Sequence, residues 1–382
     1  MKIKLLINAS TLRVGGGIQV ATSFFKYFDS LNDPRFDLLG LVSTEINDEL
    51  CLNNINVIEI KNASPAKLFK GRNSRKLIKE VEEDYMPDIV YSIGYPSYIK
   101  FNSIEIGRYT NPWEFYSELP WFLLSIKNKL KVYFRSKYRL MWARNADYIE
   151  TQTTSARDAI AMKLKIDISK IFVIPNTINQ AFLRLTEHEL NNSFNEKIIF
   201  CLAADHPHKN LKSIPRIAYE YKKLNTKFKC KFLLTLPPDS ASLNSINEIA
   251  YRLGVNDMIL NLGTIDLKKC SEIYRQCSVV LQPSLLEVFS ATYIEAMYFQ
   301  RPLLVPDVVF ARDICKKGAR YYKRNHDLSA AQEIKNILEN ESLHRSLILE
   351  GKREVRQYID IELKYKKLLD SILDIYKKTK ES

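Results

Sequence analysis

Short apolar runs of strand length alternate with stretches of helical periodicity along almost the whole chain, and this alternation constrains the fold more than any other feature. IKLLIN, FDLLGLVS, NVIEI, DIVYSI, SIEIGRY, DYIETQ and IFVIP read as strands in the first half, and EKIIFCL, CKFLLTL, SVVLQP and PLLVP in the second. Helical patterns fall at residues 18–27, 157–164, 210–224, 245–253, 267–276 and 290–299, and from Ser329 onward the pattern is wholly helical. Strands interleaved with helices pair in parallel, so the expected class is α/β. A polar, Asn-rich stretch headed by Pro175, PNTINQAFLRLTEHELNNSFNE, separates the two series. At 382 residues the chain is too long for one ordinary core. Two Rossmann-like βαβ domains facing across a cleft are therefore expected, residues 1–175 and 190–359. A helix at 360–382 is available to pack back on the first.

Composition excludes several classes. With 46% hydrophobic and 26% charged residues the chain is globular. No run of about 18 uncharged apolar residues occurs, so no bilayer-spanning helix is expected. The start, MKIKLLINASTLRVGGG, reads as a strand entering a glycine turn rather than a signal peptide. Six cysteines without a CxxC pair fit reduced thiols in a cytoplasmic protein, and zinc binding is not expected.

A formal charge of +13 calls for an anionic partner. Residues 121–144 hold seven Lys/Arg and no acid, with Lys127, Lys131, Arg135 and Arg139 recurring at i,i+4. Such a stripe of like charge is unfavourable in water unless an anion lies against it. Trp121, Phe122, Leu123, Tyr133, Phe134 and Trp142 add apolar and interfacial surface. The expectation is a helix lying on the anionic inner face of the cell membrane, with those four cations facing it. A solvated helix packed partly on its domain is the plainer alternative. No nucleic-acid module is recognisable, so nucleic acid is not an expected partner.

Three segments carry candidate chemistry. In SVVLQPSLLEVFSATYIEAM a strand leads through a loop holding Glu287 into a helix carrying Glu295. Such a junction aims backbone N–H groups and the positive helix end at a ligand, which suits a diphosphate. A carboxylate farther along can accept from sugar hydroxyls. Upstream, AADHPHKNLKSI places His206, His208 and Lys209 after a strand, where the ammonium could reach a diphosphate; its plain reading is a solvated loop capped by Asn210. Gly15, Gly16 and Gly17 separate the first strand from the first helix, allowing close approach of a ligand or simply a tight turn.

Taken in order, HKNL, Pro283-Ser284, the pair Glu287 and Glu295 spaced E-x7-E, and Ile174-Pro175-Asn176 resemble glycosyltransferase family 4. The resemblance covers the second half, and the first half only through its overall pattern and Gly16–Gly17. It implies the GT-B fold and retaining transfer from a UDP- or GDP-linked sugar without metal. Lys209 would then hold the donor diphosphate, Glu295 the ribose and Glu287 the transferred sugar. Backbone N–H groups around Phe289, Ser290, Ala291 and Thr292 would grip sugar and phosphate, with His206 and His208 beside them. Gly15, Gly16, Gly17 and Asn111 would serve the acceptor side. The acceptor implied is a lipid-linked glycan of an O-antigen or capsule. Where family members carry arginine five positions before the lysine, this chain has Ala204; His206, His208 or Arg312 are the candidates to replace it. Thr110 and Asn111 stand where a first-domain histidine is usual. A GT-B nucleotide-sugar epimerase or hydrolase, or a non-catalytic basic protein binding nucleic acid or acidic glycan, are the rival readings.

Overall fold

The computed structural model describes residues 2–14, 16–184, 196–202 and 204–381. Gly15 and much of the Asn-rich connection lie outside the described residues. Seven parallel strands form the first sheet: β1 (Ile3–Asn8), β2 (Phe36–Ser43), β3 (Asn56–Ile60), β4 (Ile89–Ser92), β5 (Ile104–Arg108), β6 (Tyr148–Thr151) and β7 (Ile171–Val173). Six more form the second: β8 (Lys197–Cys201), β9 (Cys230–Leu234), β10 (Ile259–Asn261), β11 (Val279–Leu281), β12 (Leu303–Pro306) and β13 (Arg320–Tyr322). The central runs, such as IKLLIN, IVYS and KIIFC, became strands buried on both faces, as a sheet covered by helices requires, while NVIEI at the sheet edge is only partly buried.

The strand orders are β3-β2-β1-β4-β5-β6-β7 and β10-β9-β8-β11-β12-β13. Both sheets reverse direction of growth once, beside β1 in the first and beside β8 in the second. Ligands of open α/β sheets settle outside the carboxyl ends of strands at such switch points. In this chain those ends carry the glycine turn after β1, Ile93–Gly94 after β4, the His206–Lys209 segment after β8 and the Glu287 loop after β11.

Two edge strands, β10 and β13, and the helix Arg72–Tyr85 have no counterpart in the sequence reading. Each of these strands mixes polar and apolar residues (ILN, RYY) and offers no unbroken apolar run. The helix has a mostly charged surface and turns only Ser74, Ile78, Val81 and Glu82 inward.

The first helix, Gly16–Leu31, buries Phe24, Phe25 and Phe28. The C-terminal helix, Ile361–Glu381, lays Tyr365, Leu368, Leu369, Ile372 and Ile375 into that same cluster. Tyr365 stacks on Tyr27 with ring centroids 4.4 Å apart. The sheets are also joined by one apolar cluster containing Phe115, Tyr116, Tyr293 and Phe310. Ser155 N–H donates to Asp313 across that junction at 2.7 Å.

Candidate active site between the two sheets

The site begins with two loops at the β8/β11 switch point. His206 leads into a short turn, Pro207–Lys209, which Asn210 closes in the left-handed conformation at φ 54°. Asn210 makes no side-chain cap, so the plain reading of this segment as a capped solvated loop does not hold. The Leu285 N–H donates to the His208 carbonyl at 2.9 Å, tying the loop after β11 to the one after β8. This tie brings the Lys209 ammonium onto the Glu287 carboxylate as an ion pair. Both side chains are largely buried.

Glu295 lies on the inward face of the helix Ala291–Tyr298 and is 8% exposed. Its Oε2 accepts from the Tyr274 hydroxyl at 2.9 Å. Burial pushes its carboxyl up to about 7, against the opposing influence of Tyr274 and Lys209. The helix has no side-chain cap from Ser290. Around it, Gln282 Oε1, Ser284 Oγ, Ser290 Oγ and the Tyr293 hydroxyl are buried without a hydrogen-bond partner among the described residues.

Two cavities meet here. The larger, about 690 Å³, is lined by Thr11, Gly17, Asn111, Trp113, Lys131, His206 and His208 among others. The second, about 510 Å³, reaches Gly16, Gly17, Asn176, Ala291, Glu295 and Lys364. Gly17, Arg108 and Thr110 border both. A Cβ on Gly17 would come within 2.9 Å of Leu12, whereas one on Gly16 would meet nothing.

Arg108 escaped the sequence reading, although a cation ending the apolar run IEIGRY was the signal for it. Its Nε donates to Glu150 at 3.1 Å and its terminal nitrogen to Asn176 Oδ1 at 2.9 Å. The Tyr91 hydroxyl also donates to Glu150, and Lys364 approaches Asn176 at 3.4 Å. Burial and the nearby Arg108 press the Lys364 ammonium down to about 8. Lys364 comes from the C-terminal helix, far from every motif in sequence.

Several expectations are corrected. Arg139 does not face a membrane: it is ion-paired with the buried Glu114, whose other oxygen accepts from Tyr109 at 2.6 Å. Lys131 and Arg135 are exposed but border the larger cavity with it; Lys127 is exposed and lines neither cavity. Burial drives the His208 imidazole down to about 4, so it is neutral at pH 7 and offers a hydrogen bond rather than the charge of the arginine that Ala204 lacks. It stacks on His206 and meets Trp113 edge-on. Arg312 pairs with Asp307 at 2.7 Å and lines neither cavity. The Phe289 side chain packs on Tyr358, and the Thr292 hydroxyl donates to the Leu202 carbonyl at 3.4 Å, which leaves their backbone N–H groups as the part the sequence reading invoked. Among the described residues no cluster of His, Cys, Asp and Glu could hold a metal ion, and no helix is long and apolar enough to cross a membrane.

Residues 186–354 match the family model described as glycosyl transferases group 1. The matched stretch covers less than half of the chain. It contains Lys209, Glu287 and Glu295. An O-antigen chain mannosyltransferase of Salmonella typhimurium is 27% identical over 208 residues, 54% of this chain and 55% of that protein. The chain spans about half the length of the curated relatives it matches. A glycosyltransferase from Rickettsia africae superposes with a TM-score of 0.72 at 18% identity, covering 99% of this chain and 98% of that one. An Anabaena protein solved in complex with UDP-glucose gives 0.70 at 14% identity, covering 97% and 100%. The structural likenesses bear out the expected two-domain GT-B fold.

Proposed function

We propose that the chain transfers a sugar, with retention, from a UDP- or GDP-linked donor to a lipid-linked glycan during assembly of a surface polysaccharide such as an O-antigen or capsule. The observation that carries this reading is the convergence of Lys209, Glu287, Glu295 and an uncapped helix end beside cavities bounded by the first domain's glycines. Breaking a sugar–phosphate bond builds positive charge on the anomeric carbon and negative charge on the departing diphosphate. Lys209 and the N–H groups opening the helix Ala291–Tyr298 stabilise that leaving group. When the diphosphate takes the ammonium, Glu287 is released to the sugar hydroxyls, and Glu295 accepts from the ribose. One carboxylate beside the sugar does not supply the two-carboxylate route of retaining glycosidases, so the reading is a front-face displacement in which the departing phosphate helps take the acceptor proton. The chemistry requires no metal.

The same reading places the protein on the cytoplasmic face of the membrane. The helix Ile126–Trp142 leaves Ile126, Leu130, Phe134 and Met141 exposed by 78%, 56%, 66% and 58%. Lys127 and Lys137 flank them, which suits an anionic bilayer. The test is calorimetric titration of UDP- and GDP-sugars into the wild type and Lys209→Ala. Loss of one charge-assisted contact weakens the donor roughly tenfold or more. Equal affinity in the two proteins overturns the assignment.

A further inference from the structure

The wall of the larger cavity carries a charge imbalance that donor chemistry does not use. Arg108, Lys131, Arg135 and Arg139 line it, and no carboxylate does. Arg108 and Arg139 are balanced from behind by Glu150 and Glu114, both buried. Lys131 and Arg135 are exposed and form no ion pair among the described residues. They stand one helical turn apart, where like charges repel unless an anion lies between them. Asn128, in the same wall, adds an amide one turn earlier.

The cavity mouth has the opposite character. Val14 lines it at 82% exposure, and Leu68 and Phe69, just beyond the wall residue Ala66, are exposed as well. Around the same helix, Ile126, Leu130 and Phe134 form an exposed apolar row. A cationic wall behind an apolar mouth fits an amphiphile whose charge sits between a hydrocarbon chain and a polar body.

We propose that Asn128, Lys131 and Arg135 form the subsite for the phosphate or diphosphate that joins the acceptor glycan to its lipid, with the lipid chain leaving along Ile126, Leu130 and Phe134. This rests on the glycosyltransferase reading above and names the charged group of its acceptor. Lys131 offers a mobile point charge and Arg135 a planar fork, a pairing suited to adjacent phosphates. A bulk lipid headgroup would need only an outward face, whereas these cations line a cavity that ends at Gly17, His206 and His208. The leaving nucleotide belongs to the Glu295 side.

The probe is geranyl diphosphate, short enough to study without vesicles, titrated calorimetrically into the wild type and a Lys131→Gln/Arg135→Gln variant. Both side chains are exposed, so the variant folds. We expect a loss of about tenfold in affinity per cation removed, with UDP- and GDP-sugar affinity unchanged, and weaker binding of inorganic pyrophosphate than of geranyl diphosphate. Equal geranyl diphosphate affinity in the two proteins overturns the proposal, as does pyrophosphate binding as tightly as the prenylated probe. So does a variant that loses only sedimentation with phosphatidylglycerol vesicles, since the cations then serve bulk headgroups. If the wild type binds nucleotide sugars and ignores geranyl diphosphate, this subsite alone is wrong. If it binds neither, the glycosyltransferase reading falls with it.

Discussion

Replacing Glu295 by glutamine separates the charge of this side chain from its shape. The carboxyl is 8% exposed and held by the Tyr274 hydroxyl at 2.9 Å, and burial brings its titration to about 7. On the proposed reading only the ionised form accepts both ribose hydroxyls. Between pH 6 and pH 8 a group titrating at 7 goes from about one-eleventh to ten-elevenths ionised, so donor affinity rises about tenfold across that range. Glutamine keeps the volume and forfeits the charge-assisted contacts, each worth roughly 1.5–3 kcal/mol, or about 10- to 150-fold in affinity at pH 8. The folded value lies above the usual carboxylate value of 4.5, so the protein holds the extra proton between those limits. Its stability from this group is present at low pH and is lost as pH rises through about 7. Isothermal titration with UDP-glucose and GDP-mannose at pH 6, 7 and 8 reads the effect, because neither diphosphate diester titrates there. Any slope that survives in Glu295→Gln belongs to other groups. A wild-type slope no steeper than the variant's, or a variant within threefold of wild type at pH 8, refutes the reasoning.

Two further substitutions test the scaffold. Gly107→Ala places a Cβ 2.5–2.7 Å from the Tyr95 ring, and Tyr95 cannot retreat because its hydroxyl bonds Trp142 and Ala146 at 3.2 and 3.0 Å. Overpacking of about 1–3 kcal/mol is expected, read as a lower urea midpoint at unchanged m-value. Glu150→Gln leaves Arg108 and Lys364 buried with no carboxylate between them. Breaking a buried pair from one side costs about 3–5 kcal/mol, and a loss below about 1 kcal/mol in chemical denaturation would show that the network carries little.

The parts of the fold visible in sequence are those encoded by contiguous chemistry. Strands such as IKLLIN and FDLLGLVS are buried on both faces, so their signal is unbroken. The edge strands β10 (ILN) and β13 (RYY) are only partly buried and lack the unbroken apolar run that marks β11 at the same length. At the site, Lys209 and Glu287 were legible as separate motifs, but their ion pair depends on the Leu285–His208 tie, which no spacing encodes. Arg139 was assigned to an outer face because i,i+4 spacing puts it in line with Lys131 and Arg135. The sequence does show Glu114, yet nothing in it says that a loop returns this carboxylate to the same helix. Lys364 is the extreme case, since it reaches the cavity only because the last helix crosses back to the first sheet.

Lys209 and Glu287 balance one another's charge. A buried ammonium without a counterion is unfavourable, and so is a buried carboxylate; Lys209 and Glu287 satisfy one another. A diphosphate entering beside the helix Ala291–Tyr298 competes with Glu287 for that ammonium, and two phosphate charges with aligned peptide dipoles outweigh one carboxylate. On the proposed reading, the displaced carboxylate then has no cation and turns to the hydroxyls of the sugar that arrived with the diphosphate. Nucleotide without sugar leaves Glu287 buried and unpaired, so part of the binding energy is recovered only when the complete donor is present. Discrimination between donor and product would therefore be built into one ion pair.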